Sequence, residues 1–273
     1  MQPSVAILGA GAMGEVLAGG LLRAGWPADS LRLAARREER RADVEQRTGV
    51  RTTLDAAECA AAADVVVVAV KPSDVPRLLD QIGGAITTEQ VVVSLAAGVP
   101  TSVFEAGLAD GVAVVRAMPN TPAQIDEGVT AIAAGAHADD HALALAASVL
   151  GAVGDTVVLD EHHLDAVTAV SGTGPAYVFL LAEALTEAAA REGIPRHAAE
   201  RLVAQTIKGA GALLRAVDEG PEKLRAQVTS PGGTTAAAMH VLEGQGFRAL
   251  IEDAVRAAAA RSRELGEKAR GDG

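Results

Sequence analysis

Val5-Ala6-Ile7-Leu8-Gly9-Ala10-Gly11-Ala12-Met13-Gly14 is the stretch whose reading decides the fold. Four apolar residues without a polar interruption read as a buried strand. The glycines that follow fit a tight strand-to-helix turn: Gly9 makes the turn, Gly11 leaves room for a pyrophosphate against the backbone, and Gly14 lets helix and strand pack closely. A helix opening at Ala12 points its free N–H groups and positive dipole end at phosphates. Gly9, Ala10, Gly11, Ala12, Met13 and Gly14 are therefore candidate cofactor-binding residues. The glycine pattern alone is a weak signal. Its weight comes from the strand–turn–helix context at the head of a longer series.

That series is visible downstream. Strands are predicted at Leu31–Ala35, Val65–Val70, Val91–Leu95 and Val112–Ala117, with weaker candidates at Thr130–Ala133 and Thr156–Leu159. Helices are predicted between them, among them Ala12–Ala24 and Glu38–Thr48. Strands alternating with helices mean βαβ units. From His163 onward no strand is expected. Helices are predicted at Leu164–Val170, Pro175–Arg191, Pro195–Ala216, Pro221–Gln227, Thr235–Glu243 and Gly246–Lys268, with prolines at their starts and Gly193 and Gly244 at stops. The expected class is α/β: an N-terminal Rossmann domain, doubly wound with a mostly parallel sheet, over residues 1–160, followed by an all-α domain over 161–273.

Composition narrows the partners. Aromatic residues are only 2% of the chain, so Ala, Val and Leu must fill the core. A net charge of −11 speaks against nucleic acid. The single cysteine, Cys59, excludes an internal disulfide and fits a reducing cytoplasmic setting as a small packing residue. No secretory signal precedes the first strand. The longest uncharged stretch, Ala166–Ala182, is broken by Gly172, Gly174 and Pro175, and is expected to fall short of a membrane span.

The end of the second strand bears on the cofactor. An NAD site usually places Asp or Glu there for the ribose 2′-hydroxyl. Here the residues are Ala34-Ala35-Arg36-Arg37. A guanidinium fork suits a 2′-phosphate, so Arg36 and Arg37 point to NADPH, with NADH still possible. The plainer reading is that they open a solvated helix running through Glu38, Glu39, Arg40 and Arg41.

Four further segments carry a family resemblance: Ala69-Val70-Lys71-Pro72, Arg116-Ala117-Met118-Pro119-Asn120-Thr121-Pro122, Ser171-Gly172-Thr173-Gly174-Pro175-Ala176-Tyr177, and Val228-Thr229-Ser230-Pro231-Gly232-Gly233-Thr234-Thr235. With them the chain resembles the Δ1-pyrroline-5-carboxylate reductases from Val5 to about Leu265. The resemblance implies NAD(P)H-dependent hydride transfer to the imine of 1-pyrroline-5-carboxylate, giving L-proline in the last step of its biosynthesis. It implies that the helical domain binds substrate and dimerises, and that dimers assemble further, for example into a decamer. It places the nicotinamide near Ala69, Val70, Lys71 and Pro72 and near Leu95, Ala96 and Ala97, with Asn120 on the cofactor side. It places the substrate carboxylate at Ser230, Gly232, Gly233, Thr234 and Thr235, with the Thr235 hydroxyl toward the ring nitrogen as the catalytic candidate, and Glu161 near the substrate.

Those residues suit those roles. Gly232 and Gly233 permit a turn whose N–H groups converge on an anion, and the following helix adds its dipole. The competing reading is a helix–helix loop whose hydroxyls cap the next helix. A protonated imine is already electrophilic, so the site must orient two reactants rather than supply a strong acid. The chain departs from the family at Ala56, where many relatives carry an Asn toward the adenosine ribose, and at Thr173 and Gln227.

Other residues carry less. His162 and His163 are adjacent, share no helix face and show no third ligand in the sequence, so no metal is expected. Lys71 has a cofactor-side position at a strand end rather than a catalytic one. Two alternatives stay open. A β-hydroxyacid dehydrogenase shares the layout but places a catalytic Lys in a helical motif that Lys208, Lys223 and Lys268 do not form. A non-catalytic NADPH-binding regulator would have no reason to keep a carboxylate loop.

Overall fold

Val5–Leu8 forms β1, and all four of its residues are buried. In the computed structural model, which describes residues 2–270 and side chains as far as Glu267, β1 lies inside an eight-stranded sheet. The strands are β1, β2 (Leu31–Ala34), β3 (Arg51–Thr53), β4 (Val65–Val68), β5 (Val91–Ser94), β6 (Ala113–Met118), β7 (Gly128–Ala134) and β8 (Gly154–Val158). Their order is β3-β2-β1-β4-β5-β6-β7-β8. Every pairing is parallel except β6 with β7.

The strand period of two explains why the valine runs are unbroken. Val5, Ile7, Val65 and Val67 pack into one core with α1 (Ala12–Arg23), α2 (Glu38–Thr48) and α6 (Asp140–Leu150). Ala6, Leu8, Val66 and Val68 pack into a second, with α3 (Ala56–Ala61), α4 (Val75–Ile82) and α5 (Thr101–Gly107). Both faces of each strand are thus covered. Cys59 belongs to the second core, and burial pushes its thiol up to about 12.

β1 sits between β2 and β4, where the winding of the chain reverses. Such a switch point leaves a crevice at the carboxyl ends of the strands. β4 stops at Val68 rather than continuing to Val70, so Ala69 and Val70 turn across the end of β1. β3 was not expected from the sequence. It is a three-residue edge strand containing an exposed Arg51, with no apolar run to announce it.

After β8 come α7 (Leu164–Val167), a π-helical turn (Thr168–Gly172), α8 (Gly174–Arg191), α9 (Arg196–Ala216), α10 (Pro221–Gln227), α11 (Thr234–Gly244) and α12 (Phe247–Arg270). The glycines at 172 and 174 do not break the helix as expected. The extra residue is absorbed by the π turn: Thr173 N donates to Thr168 O at 2.8 Å, and Thr173 Oγ1 donates to the same oxygen at 2.9 Å. The helical run therefore spans Glu161–Arg191, 31 residues that are long and apolar enough to cross a membrane. The chain divides into two compact units. One holds the sheet up to Thr173 and takes back Ala257 onward; the other is Gly174–Arg256. In the second unit only Thr186 and Ala199 are buried.

Candidate active site

Gly9 follows β1 with φ +119°, a conformation that favours glycine. Its N–H and that of Ala10 donate to Ala34 O at 3.0 Å each, so the turn is tied to the end of β2. A Cβ on Gly9 would lie 2.7 Å from Ala69 O. A Cβ on Gly14 would collide with Gly9 O, which is the close helix–strand packing expected of it. Gly11 differs: nothing lies within 4 Å of where its Cβ would be. It is the N-cap of α1 and brings no side-chain cap, so the first N–H groups of that helix remain available to an anion.

Over this turn lies a cavity of about 460 Å³. Gly9, Ala10 and Gly11 form its floor, Ala69, Val70 and Lys71 one side, and Arg36, Arg37, Arg40 and Arg77 another. Five basic residues against one carboxylate, Asp74, is a strong local bias in a chain of net charge −11. Asp74 Oδ1 accepts from Arg36 Nη1 at 2.9 Å and from Arg77 Nη2 at 3.0 Å. Arg40 Nε donates to Ala10 O at 2.7 Å, and its Nη2 pairs with Glu15 at 2.7 Å. The glycine turn is thus braced from α2. Ala56 also lines the cavity, beside Leu54. An uncapped helix end, a backbone open at Gly11 and a basic wall together fit a dinucleotide carrying an extra phosphate.

Sequence reasoning missed Arg40, Asp74 and Arg77. Arg40 lies one helical turn beyond Arg36, and Asp74 and Arg77 are three apart at the start of α4. Charges at such spacing are ordinary on a solvated helix, so only the fold reveals that they converge.

Of the expected cofactor residues, Ala12–Gly14, Pro72, Leu95–Ala97 and Asn120 do not line this cavity. Leu95, Ala96 and Ala97 follow β5, where Leu95 N donates to Val68 O at 2.9 Å. Of the three, only Ala97 is exposed. Asn120 uses its amide within the protein: Oδ1 accepts from Val129 N at 2.9 Å, and Nδ2 donates to Ser171 O at 3.2 Å. Met118 packs beside it, its Cε 2.6 Å from where a Cβ on Gly172 would lie.

Glu161 is likewise engaged. Its two oxygens accept from Thr101 N and Thr101 Oγ1, each at 2.8 Å, at the start of α5. Arg116 Nη1 donates to Glu161 Oε1 at 3.3 Å, and Arg116 Nη2 is 3.8 Å from Asp165 Oδ1. The Arg116 side chain is only 8% exposed. A guanidinium buried so far needs such partners, and losing one costs about 3–5 kcal/mol. Near it, Asp160, His162 and His163 are exposed and present ligand atoms within 4.8 Å of one another, so a third donor stands beside the histidine pair after all.

The carboxylate loop is in the helical unit. α10 ends at Gln227, Thr229 Oγ1 donates to Arg225 O at 2.6 Å, and the chain turns through Ser230 and Gly232, which has φ +70°. Gly233 N donates to Ser230 O at 3.0 Å. Gly233 is the N-cap of α11, and no side chain caps that helix. The first turn of α11, with Thr234 and Thr235, thus presents uncapped N–H groups beside hydroxyls. Such an arrangement can accept an anion.

Comparison with known proteins agrees with both halves. Residues 161–265 match the family model described as pyrroline-5-carboxylate reductase dimerisation, and residues 4–98 match that described as NADP oxidoreductase coenzyme F420-dependent. The chain is 42% identical over 267 residues to the pyrroline-5-carboxylate reductase of Pseudomonas aeruginosa, covering 97% of this chain and 98% of that protein. The enzyme of Corynebacterium melassecola is 38% identical, with 97% and 99% covered. Among solved structures, a pyrroline-5-carboxylate reductase from Coxiella burnetii superposes with a TM-score of 0.93 at 36% identity, with 97% and 99% covered. The Plasmodium falciparum pyrroline carboxylate reductase with NADP bound gives 0.86 at 28% identity, again with 97% and 99% covered.

Proposed function

The chain belongs to the pyrroline-5-carboxylate reductase family, and on that premise we propose how its residues carry out the reaction. It is an NAD(P)H-dependent oxidoreductase acting on a CH–NH group, converting 1-pyrroline-5-carboxylate to L-proline. The observation that carries the proposal is the presence of two uncapped helix N-termini with different surroundings. One opens under a basic cavity of about 460 Å³, the other in a hydroxyl-rich turn.

When bound, NAD(P)H supplies the hydride that reduces the C=N bond. Gly9–Gly14 hold its pyrophosphate on the backbone N–H groups at the start of α1. Arg36 and Arg37, joined by Arg77, read the 2′-phosphate and set a preference for NADPH. Ala69–Pro72 and Leu95–Ala97 border the nicotinamide. In the helical unit, Ser230 and Gly232–Thr235 take the substrate carboxylate. The Thr235 hydroxyl orients the ring nitrogen, which already carries its proton, so no stronger acid is required. Asn120 stands on the cofactor side and Glu161 near the substrate, each held in place by its hydrogen bonds. Ala56 leaves the adenosine ribose with one contact fewer than in relatives bearing Asn there.

A second copy of the chain covers the helical unit. Phe179, Leu180, Leu202 and Leu250 are each more than half exposed, and a unit with two buried residues has almost no core of its own. The apolar run Glu161–Arg191 is covered by that partner rather than by lipid, because Glu183, Glu187 and Arg191 lie on it and the dimerisation model spans it. Assembly beyond the dimer, such as a decamer, and a cytoplasmic location complete the proposal.

The test is to mix purified protein, pyrroline-5-carboxylate and NADPH, and to follow NADPH loss together with proline formation. Proline appearing in step with NADPH oxidation is expected; no proline overturns the reading. Light scattering on a sizing column without detergent checks the assembly, and a monomer overturns that part.

A further inference from the structure

The last turns of α12 belong to the sheet unit, where they touch one loop directly and are linked through other side chains to the residue that follows it. That loop, residues 95–100, joins β5 to α5. Within it is Gly98, with φ +76°. A Cβ on Gly98 would lie 3.3 Å from Gly266 N, and a Cβ on Gly266 would lie 2.8 Å from Gly98 O. The two backbones meet with no side chain between them. Just after it, as the first residue of α5, is Thr101, whose N–H and hydroxyl are both held by Glu161. Glu161 is joined through Arg116 to Asp165, and Asp165 Oδ1 accepts from Ser262 Oγ at 2.7 Å. Ser262 is one helical turn before Gly266, and these are the two buried residues of the stretch 261–267. One face of α12 thus holds this segment twice, directly by backbone at Gly98 and indirectly, through a part-buried polar chain, at Thr101.

We propose that Gly266 and Ser262 are positioning residues that fix the loop Leu95–Ala97 at the nicotinamide end of the cofactor. This rests on the reading that Leu95–Ala97 borders the nicotinamide. Neither residue lines the cavity over the glycine turn, so they act through the loop and not on the adenosine half of the cofactor. The close approach also sets the sign of a test. In a free helix end, replacing Gly by Ala removes backbone freedom and raises helix stability. Against Gly98 O, the same methyl must push the loop away.

The experiment uses the full-length protein with Gly266→Ala, Ser262→Ala and, as a control on the loop itself, Ala97→Leu. Each is measured for melting temperature, for NADPH affinity by calorimetry, and for affinity toward 2′,5′-ADP, which has the 2′-phosphate but no nicotinamide. Gly266→Ala is expected to lower the melting temperature and weaken NADPH about tenfold, with 2′,5′-ADP bound as in the unaltered protein. Ser262→Ala, which removes only a hydroxyl, is expected to shift NADPH in the same direction by a smaller factor. It keeps the test open if Gly266→Ala does not fold. A raised melting temperature for Gly266→Ala overturns the docking. Equal losses for NADPH and 2′,5′-ADP overturn the positioning role. If Ala97→Leu weakens NADPH while both α12 variants bind it normally, the proposal fails and the reading of the loop stands. If Ala97→Leu also binds NADPH normally, that reading fails and the proposal with it.

Discussion

Gly9 and Gly11 are two residues apart in one motif, yet alanine at each should fail in a different way. At Gly9 the new Cβ would sit 2.7 Å from Ala69 O and 3.0 Å from Val70 Cγ1, against an ordinary C···O approach of about 3.3–3.6 Å. The turn must open by roughly half an ångström or more, and φ +119° adds backbone strain of about 1–3 kcal/mol. With the packing term, about 2–4 kcal/mol of destabilisation follows, or roughly 5–15 °C in Tm for a unit of this size. At Gly11, φ is −86° and nothing lies within 4 Å, so the protein itself accepts a methyl group with little change in Tm. What Gly11→Ala fills is the space in which the pyrophosphate lies. Pushing the phosphates off the α1 N–H groups forfeits a charge-assisted hydrogen bond of about 1.5–3 kcal/mol, a loss of roughly 10- to 150-fold in NADPH affinity. Scanning fluorimetry and calorimetry on the two variants separate the cases. A Gly11→Ala protein that binds NADPH like the unaltered chain would refute the path of the pyrophosphate over Gly11. An unchanged Tm for Gly9→Ala would refute the crowding against Ala69.

Thr235→Val should lower the rate of imine reduction while leaving NADPH binding intact, since the residue lies in the helical unit; unchanged turnover removes Thr235 from the site. Replacing Arg36 and Arg37 together by Ala should weaken NADPH about tenfold or more while NADH changes little, and parallel losses would show that neither arginine reads the 2′-phosphate. Asp64 accepts Ser4 N and Ser4 Oγ, each at 2.7 Å, and these bonds hold its carboxyl below the usual range. The stability they add is present above the unfolded carboxylate value of about 3.9 and is lost as pH falls through the lower folded value. Melting curves should therefore show Asp64→Asn less stable than the unaltered protein near neutrality, with the gap closing in acid; a gap independent of pH contradicts this.

Much of the fold could be read from local pattern because local pattern is what creates it. Val5–Leu8 and Val65–Val68 are apolar on both faces because both faces are covered, and that shows in a single run of residues. The starts of α10 and α11 are written in Pro221 and in Gly233, which need no distant partner. The glycine turn and the Ser230–Thr235 loop are contiguous, so both could be read as motifs. Arg51–Thr53 was not, since an edge strand of polar residues takes its structure from β2 alongside it.

The sequence by itself thus determined the class of the fold, the two glycine-containing turns and the pair of arginines that follows β2. Only the tertiary structure decided what the side chains between those turns do. Asn120 and Glu161, which the resemblance places toward cofactor and substrate, also hold partners 51 and 60 positions away, at Ser171 and Thr101. Arg40 read as part of a solvated helix, and nothing in the sequence singled out Asp74 or Arg77, but the switch point between β1 and β4 gathers all three over one cavity. A buried polar group must find its hydrogen bonds somewhere, and which group supplies them is a property of the packed chain, not of its neighbours in sequence. The glycine turn keeps the role it had as a string of residues, while the bracing of its floor by Arg40 belongs to the folded molecule alone.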